Sequence, residues 1–264
     1  MASVNEILSC LDRFAPIATA MDFDNVGLLV GFPEREVTRV LCALDVTDAV
    51  IAEAEAFGAE LIVAHHPMIF HPLKSVRSDD PAGRKVIRLL QNGMSAINMH
   101  TNLDAAVGGV NDALMDALGI PVTGLLSVCG TLPDGTPYGI ERVGELPEAL
   151  PLEEFLARTK SALRCRALRY VPGGRPVKKV AVCGGSGGSE LEAVIASGCD
   201  TYVTADLKYD RLLLAQEAGI NLIDADHFCT ENVVVPRLRD WIRAAFPALE
   251  VRISETHDQT ACFY

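Results

Sequence analysis

Two adjacent histidines at the end of an apolar segment are the residues in this chain best placed to do chemistry. Residues 61–67 read Leu-Ile-Val-Ala-His-His-Pro, which predicts a short buried strand that Pro67 ends, because proline cannot donate to a strand ladder. Adjacent side chains of a continuing strand point to opposite faces, so His65 and His66 can converge only where the backbone turns. The structural alternative is one buried and one solvated histidine without a shared ligand.

Further candidate ligands follow two other predicted strands, over 94–99 and 221–225. In open α/β sheets the carboxyl ends of the strands form the crevice where ligands bind. Side chains that follow different strands are therefore expected to meet at one edge of the sheet. We expect five of them to form a metal site: His65, His66, Asp104, His227 and Glu231.

The composition of this ligand set predicts its metal. Imidazole together with carboxylate suits Zn, Fe, Mn, Co or Ni, whereas Ca and Mg prefer oxygen ligands. Five ligands exceed the three of a catalytic zinc, so we expect two divalent ions that share a carboxylate, most simply Glu231, roughly 3.5 to 4 Å apart. A single structural zinc is the alternative, and it predicts one metal per chain.

A centre of two divalent ions and two carboxylates keeps a net positive charge and should attract an anion. A nucleotide or another phosphate ester is the expected substrate, with water activated between the metals. His100 and Asp24 are candidate catalytic residues, for proton transfer or for holding a ligand in place. A structural role explains each of them equally well: Asp24, for example, lies in an acidic turn.

Composition limits the class of protein. With 264 residues, 49% of them hydrophobic, the chain can bury a core large enough for two domains or one large one. A formal charge of −12 argues against nucleic-acid binding. No apolar run reaches the length of a membrane span, so we expect a cytoplasmic protein. The eight cysteines form no Cys-x-x-Cys pair, which favours reduced thiols over a thiolate zinc site.

Strand and helix patterns alternate along the first half of the chain, which predicts an α/β fold with right-handed crossovers between parallel strands. Turn-forming residues over 123–137 indicate a domain boundary. The loop over 183–189 lacks the glycine pattern of a dinucleotide or P-loop site, so we expect a tight turn and no bound organic cofactor. Pro236 is predicted to kink the last helix or to lie in its first turn.

Five motifs in this order resemble the Nif-three-like family, whose members often carry the name GTP cyclohydrolase I type two homologue. The similarity runs over nearly the whole chain. The motifs are Asp-Asn-Val-Gly-Leu (24–28), His-His-Pro (65–67), His-Thr-Asn-Leu-Asp (100–104), Thr-Ala-Asp-Leu-Lys-Tyr (204–209) and His-Phe-Cys-Thr-Glu (227–231).

The resemblance implies a dinuclear metal site carried by the same five residues, and two interlocked α/β domains with mixed sheets flanked by helices. Residues 1–125 plus 228–264 are then expected to form the metal-site domain, and residues 126–227 a second, inserted domain. The family likeness also implies a toroidal homohexamer, a trimer of dimers with the metal sites facing its cavity.

Three residues depart from the pattern of the family. Asp226 and Ala205 stand where glycines are usual, and Asp210 stands where a histidine is expected. The expected function is that of a dinuclear metal-dependent hydrolase acting on a nucleotide or phosphate-bearing substrate, with GTP ring hydrolysis as the reaction that the family name indicates. The alternative is a non-catalytic hexameric metal-binding scaffold or regulatory protein.

Overall fold

The computed structural model describes all 264 residues. The strands are β1 (Ala2–Ser3), β2 (Gly27–Val30), β3 (Glu36–Val37), β4 (Arg39–Ala43), β5 (Leu61–Ala64), β6 (Ser95–Asn98), β7 (Val122–Leu125), β8 (Gly130–Thr131), β9 (Pro137–Tyr138), β10 (Arg142–Leu150), β11 (Arg169–Val171), β12 (Val177–Val182), β13 (Thr201–Thr204), β14 (Asn221–Asp224) and β15 (Glu250–Ile253). The α-helices are α1 (Val4–Phe14), α2 (Asp48–Phe57), α3 (Pro81–Gln91), α4 (Thr101–Ala105), α5 (Val110–Leu118), α6 (Leu152–Ala162), α7 (Leu191–Ala196), α8 (Tyr209–Ala218), α9 (His227–Glu231) and α10 (Val235–Ala245).

The chain forms two compact units. The first unit comprises Met1–Leu103 and Val235–Asp258, and the second comprises Asp104–Val234 and Gln259–Tyr264. None of the helices combines the length and the apolar composition that crossing a bilayer requires.

The first unit is built on a five-stranded mixed sheet in the order β15-β4-β5-β6-β2. Strands β15, β4, β5 and β6 are parallel, and β2 runs antiparallel to β6. The βαβ units predicted around β5 are present, with α2 and α3 as crossover helices. On one face of the sheet Leu41, Ile62 and Ala96 pack with residues of these two helices. The alternate residues point to the other face, where α10 packs on β4 and β15.

Helices α2 and α3 begin and end at residues that favour the ends of helices. Thr47 caps α2 by accepting a hydrogen bond from the Val50 amide (3.1 Å), and Gly58 ends the helix in the left-handed conformation at φ 73°. Asp80 caps α3 in the same way, with Pro81 in the first turn. These caps fix the crossovers that deliver β5 and β6 to the centre of the sheet.

The second unit contains a six-stranded mixed sheet in the order β11-β14-β13-β12-β10-β7. The three strands β12, β13 and β14 are parallel, and the outer strands are antiparallel to their neighbours. Residues of α5 and α6 pack on one face with Val180 and Val203, and residues of α7 and α8 pack on the other with Tyr202 and Leu222. Both units are therefore mixed sheets flanked by helices, which confirms the predicted fold class.

The unit boundaries differ from the predicted domains of residues 1–125 plus 228–264 and residues 126–227. Residues 104–125, 228–234 and 259–264 belong to the second unit. The physical reason is the packing of α5, whose apolar side chains Leu114 and Leu118 are buried in the same core as Cys229. The C-terminal residues follow because the Arg166 amide donates to Gln259 Oε1 (3.2 Å).

Pro236 was predicted either to kink the last helix or to lie in its first turn, and the structure shows the second arrangement. Helix α9 ends at Glu231, a 3-10 turn covers Asn232–Val234, and α10 then begins at Val235 with Pro236 in its first turn. Proline is tolerated there because an amide in the first turn has no partner within the helix. His227 and Glu231 consequently share one turn of α9.

Candidate metal site

His65 and His66 lie where β5 ends and the backbone leaves the sheet. Both amides donate to the Leu44 carbonyl, at 3.1 and 2.9 Å, instead of continuing a regular ladder. The two rings consequently lie on the same side, with centroids 4.9 Å apart. The turn predicted from Pro67 therefore brings the two adjacent imidazoles together.

His100 follows β6 and joins this pair. Its ring centroid lies 5.2 Å from that of His65 and 5.7 Å from that of His66. One ligand atom from each of the three histidines falls within 4.8 Å of the others, a spacing that could hold a metal ion. The structure therefore gives the first unit a set of three imidazoles, where sequence reasoning had assigned His100 to catalysis or support.

Each imidazole of this set is oriented by an oxygen acceptor at Nδ1. The partners are the Met99 carbonyl for His65, Asp45 Oδ1 for His66 and Asp24 Oδ1 for His100, each at 2.8 Å. An acceptor at Nδ1 places the proton there, and Nε2 is then the nitrogen that can coordinate a metal.

Asp24 is the buried partner of His100 and does not itself belong to the histidine set. Its second oxygen accepts hydrogen bonds from the Thr101 amide (3.0 Å) and hydroxyl. Burial alone would raise the pKa of Asp24, but the hydrogen bonds from His100 and Thr101 hold it well below the usual range. Asp24 is therefore a carboxylate that positions His100.

In the second unit, His227 begins α9 and Glu231 follows one turn later. His227 Nε2 lies 3.0 Å from Glu231 Oε2, and its Nδ1 lies 2.7 Å from Asp206 Oδ2. Burial favours the neutral ring, but the two carboxylates outweigh it and raise the pKa of His227 to about 11. His227 is thus held as an imidazolium between two carboxylates, and a divalent cation would compete with the Nε2 proton.

Asp226 is one of the three departures from the family pattern, and its conformation shows how an aspartate fits there. It adopts φ 66° and ψ 138°, a conformation that favours glycine, and its side chain accepts a hydrogen bond from the Cys229 amide (3.2 Å) as the N-cap of α9. The cap offsets backbone strain of about 1 to 3 kcal/mol. The aspartate can therefore replace a glycine directly before His227.

The glycine-containing loop over 183–189 supports Glu231. The Gly184 amide donates to Asn111 Oδ1 (2.8 Å), and the Gly185 amide donates to Thr230 Oγ1 (3.0 Å). Gly185 has φ +65°, and a Cβ added there would overlap Glu231 Oε1 and lie 3.1 Å from His227 Nε2. The loop is thus a tight turn whose missing side chain leaves room for both candidate ligands.

Asp104, the remaining predicted ligand, lies in α4 and is 7% exposed. Its backbone carbonyl accepts a hydrogen bond from Asn111 Nδ2 (3.4 Å), the residue that also holds Gly184. The structure therefore buries Asp104 in the second unit, anchored through the same asparagine as the loop.

Sequence reasoning missed Asp45 and Asp206 as partners of His66 and His227. The signal that could have found them is strand register. Ala43 pairs with Ala64 in the parallel strands β4 and β5, so two residues further on Asp45 comes level with His66. Thr204 likewise pairs with Asp224, which brings Asp206 level with Asp226, next to His227.

The donor set fits a transition metal. Four histidines have Nδ1 on an oxygen acceptor, and in three of them the acceptor is a carboxylate. Histidine ligands of metals show this arrangement almost without exception. The chain therefore contains His and Glu groupings that could bind a metal ion.

Comparison with known proteins gives one consistent result. A sequence model of the Duf34/NIF3 family (NGG1p interacting factor 3) matches residues 2–260. A Clostridium perfringens protein named "GTP cyclohydrolase 1 type 2 homolog" is 35% identical over 245 residues, which are 91% of this chain and 91% of that protein. A protein of the same name from Streptomyces coelicolor is 37% identical over 235 residues, or 88% and 82% of the two chains.

Structural comparison agrees. The crystal structure of a Bacillus cereus protein related to NIF3 superposes with a TM-score of 0.92 at 25% identity, covering 100% of this chain and 99% of that one. The resemblance that the five motifs predicted is confirmed. The chain belongs to the Duf34/NIF3 family.

Proposed function

We propose that this chain is a metal-dependent hydrolase that acts on a nucleotide or another phosphate-bearing substrate. GTP ring hydrolysis is the reaction that the names of its relatives indicate. The proposal includes two divalent transition-metal ions per chain, Zn, Fe, Mn, Co or Ni. Their ligands are the five residues that the family resemblance implies: His65, His66, Asp104, His227 and Glu231.

One observation carries this proposal: the histidines of both units are held at Nδ1 by oxygen acceptors, mostly carboxylates. Such support raises the basicity of Nε2 and fixes the direction of its lone pair. Bound divalent ions would lower the pKa of water and stabilise negative charge on a phosphate oxygen.

Proton transfer is assigned to His100. Asp24 holds the His100 ring through Nδ1 and stays ionised, because its pKa is lowered by that hydrogen bond and by Thr101. An imidazole backed by a carboxylate can take a proton at Nε2 and return it, since the carboxylate stabilises the imidazolium that forms. Asp24 is a positioning residue in this scheme.

The test is metal content and turnover on protein purified without chelator. We expect two metals per chain and metal-dependent turnover of GTP or of a simple phosphodiester. Changes beside metal ligands cost 10- to 100-fold, so Glu231→Gln, which alters a ligand, should reduce turnover by about 100-fold or more. Glu217→Gln is the matched control, because Glu217 is an exposed glutamate of the same unit.

Two outcomes would contradict the proposal that the chain is a hydrolase. Stoichiometric metal without turnover of either substrate would favour a metal-binding scaffold or regulatory protein. One metal per chain that survives Glu231→Gln would favour a single structural zinc.

The family resemblance also supports the proposal of a toroidal homohexamer, a trimer of dimers working in the cytoplasm. Light scattering on the purified protein should then give six times the 28.3 kDa chain mass. A monomer or dimer at micromolar concentration would contradict it.

A further inference from the structure

The geometry points to an aromatic subsite in the first unit, formed by Phe23 and Phe70 beside His100, that stacks on a heterocyclic ring of the substrate. The inference rests on the proposed function and narrows its substrate class. The substrate would be a phosphate ester that carries a nucleobase or a similar ring, and not a simple sugar phosphate.

The position of the two rings is the first observation. Phe70 lies 6.0 Å from His100 between ring centroids, at an interplanar angle of 86°. Phe23 lies 6.3 Å from Phe70 at 64°, so the aromatic surface extends outward from the histidine set. A ligand whose phosphate reached His100 would meet Phe70 first and Phe23 one ring further on.

The exposure of the rings is the second observation. Phe23 is 67% exposed and Phe70 is 38% exposed. Phe70 also contacts the His71 ring at 4.8 Å between centroids, in an edge-type arrangement at 67°. Phe14 has a similar exposure, but its ring is stacked face to face on Trp241 at 4.8 Å and an angle of 2°. Single exposed aromatics are ordinary, whereas two neighbouring ones beside a histidine set offer faces that a flat ring can cover.

The anchoring of the two loops is the third observation. Asn25 Nδ2 donates to the Ile69 carbonyl (2.6 Å), which ties the loop of Phe23 to the loop of Phe70. Asp24, the neighbour of Phe23, is fixed by His100 and Thr101. The aromatic side chains therefore project from backbone that the histidine set itself holds, which reduces the entropy that binding must remove.

The test compares GMP with ribose 5-phosphate, which lacks the base, by titration calorimetry on the metal-loaded protein. One stacked base contributes about 5- to 150-fold in affinity, and we expect GMP to bind more tightly by a factor in that range. Phe70→Leu and Phe23→Leu should each remove about fivefold or more of the GMP affinity. Neither should change the affinity for ribose 5-phosphate, and Phe70→Trp should retain the preference.

Phe32→Leu is the matched control, because Phe32 is 42% exposed in another loop of the same unit. Equal affinities for GMP and ribose 5-phosphate would overturn the aromatic subsite and leave the metal proposal intact. A change in oligomer size in Phe23→Leu or Phe70→Leu, with the ligand preference retained, would also overturn it, since the rings would then be subunit contacts. Failure of both ligands to bind would contradict both proposals.

Discussion

The two units present their histidines in different chemical settings. In the first unit three imidazoles gather at the ends of neighbouring strands, and no carboxylate belongs to the group. In the second unit one imidazole and one carboxylate share a single helical turn, and a further carboxylate holds the ring from behind. Imidazole nitrogens make up the first set, whereas carboxylate oxygens surround the single imidazole of the second.

Because of these settings, the two sets respond differently to protons. His227 holds its proton between Asp206 and Glu231, because both carboxylates favour the charged ring. A metal must displace that proton before it can reach Nε2. Metal affinity in the second set therefore depends on pH in a range where an ordinary histidine, with a pKa near 6.5, no longer titrates.

We expect metal affinity to respond most strongly to pH. Because the pKa of His227 is about 11, the residue remains protonated from pH 7 to pH 9, and each unit of pH should strengthen metal binding about tenfold. We expect the metal dissociation constant to fall about 100-fold over this range. Competition with a chelator of known affinity measures it.

Two controls sharpen this prediction. Asp206→Asn should lower the pKa of His227 toward its ordinary value in the metal-free protein, as NMR titration of the ring would show. His227→Gln should remove the pH dependence above pH 7. A wild-type affinity that stays constant between pH 7 and pH 9 would contradict the assignment of His227 as a ligand.

Local sequence was enough to predict the strand ends that carry these residues. The apolar runs at β5, β6 and β14 stop abruptly at polar residues, and that signal needs no knowledge of the rest of the chain. The partners Asp45 and Asp206 were not predicted, because they lie about twenty residues away and depend on the register of parallel strands. The unit boundary differs from the predicted domains for a related reason: α5 has an apolar face, but its sequence does not say which sheet that face covers.

A smaller effect is expected from Asp45→Asn in the first unit. Asp45 accepts hydrogen bonds from His66 Nδ1 (2.8 Å) and His257 Nε2 (3.2 Å), and these bonds hold its pKa well below the usual range even though burial would raise it. Loss of the charge should weaken metal binding about 10- to 100-fold. The loss should be the same at pH 7 and pH 9, in contrast to changes around His227.

Asp48→Asn is the matched control for this variant, because Asp48 is a nearby aspartate whose partner is the exposed Arg84 (2.7 Å). It should leave metal affinity unchanged. An equal loss in both variants would mean that general charge, and not support of His66, determines binding in the first unit.

A still smaller change in metal affinity should show whether the space around His227 and Glu231 matters in addition to the charges around them. Gly185 and Gly198 both have a left-handed backbone, at φ +65° and +72°, but only a Cβ at Gly185 would meet Glu231 and His227. Alanine at either position should cost about 1 kcal/mol of unfolding free energy in chelator from the left-handed backbone, and Gly185→Ala should cost more because its Cβ overlaps Glu231 Oε1. Only Gly185→Ala should also weaken metal binding, by about tenfold, since the Glu231 carboxylate must move.

Urea denaturation and metal titration of the two variants measure these quantities separately. Because Gly198→Ala carries the same backbone strain without the overlap, a loss of metal affinity in Gly185→Ala alone reports on the space that the loop leaves beside Glu231. If Gly185→Ala and Gly198→Ala bound metal equally, the loop over 183–189 would be a structural turn only, and the second set would owe its properties to the carboxylates around His227 alone.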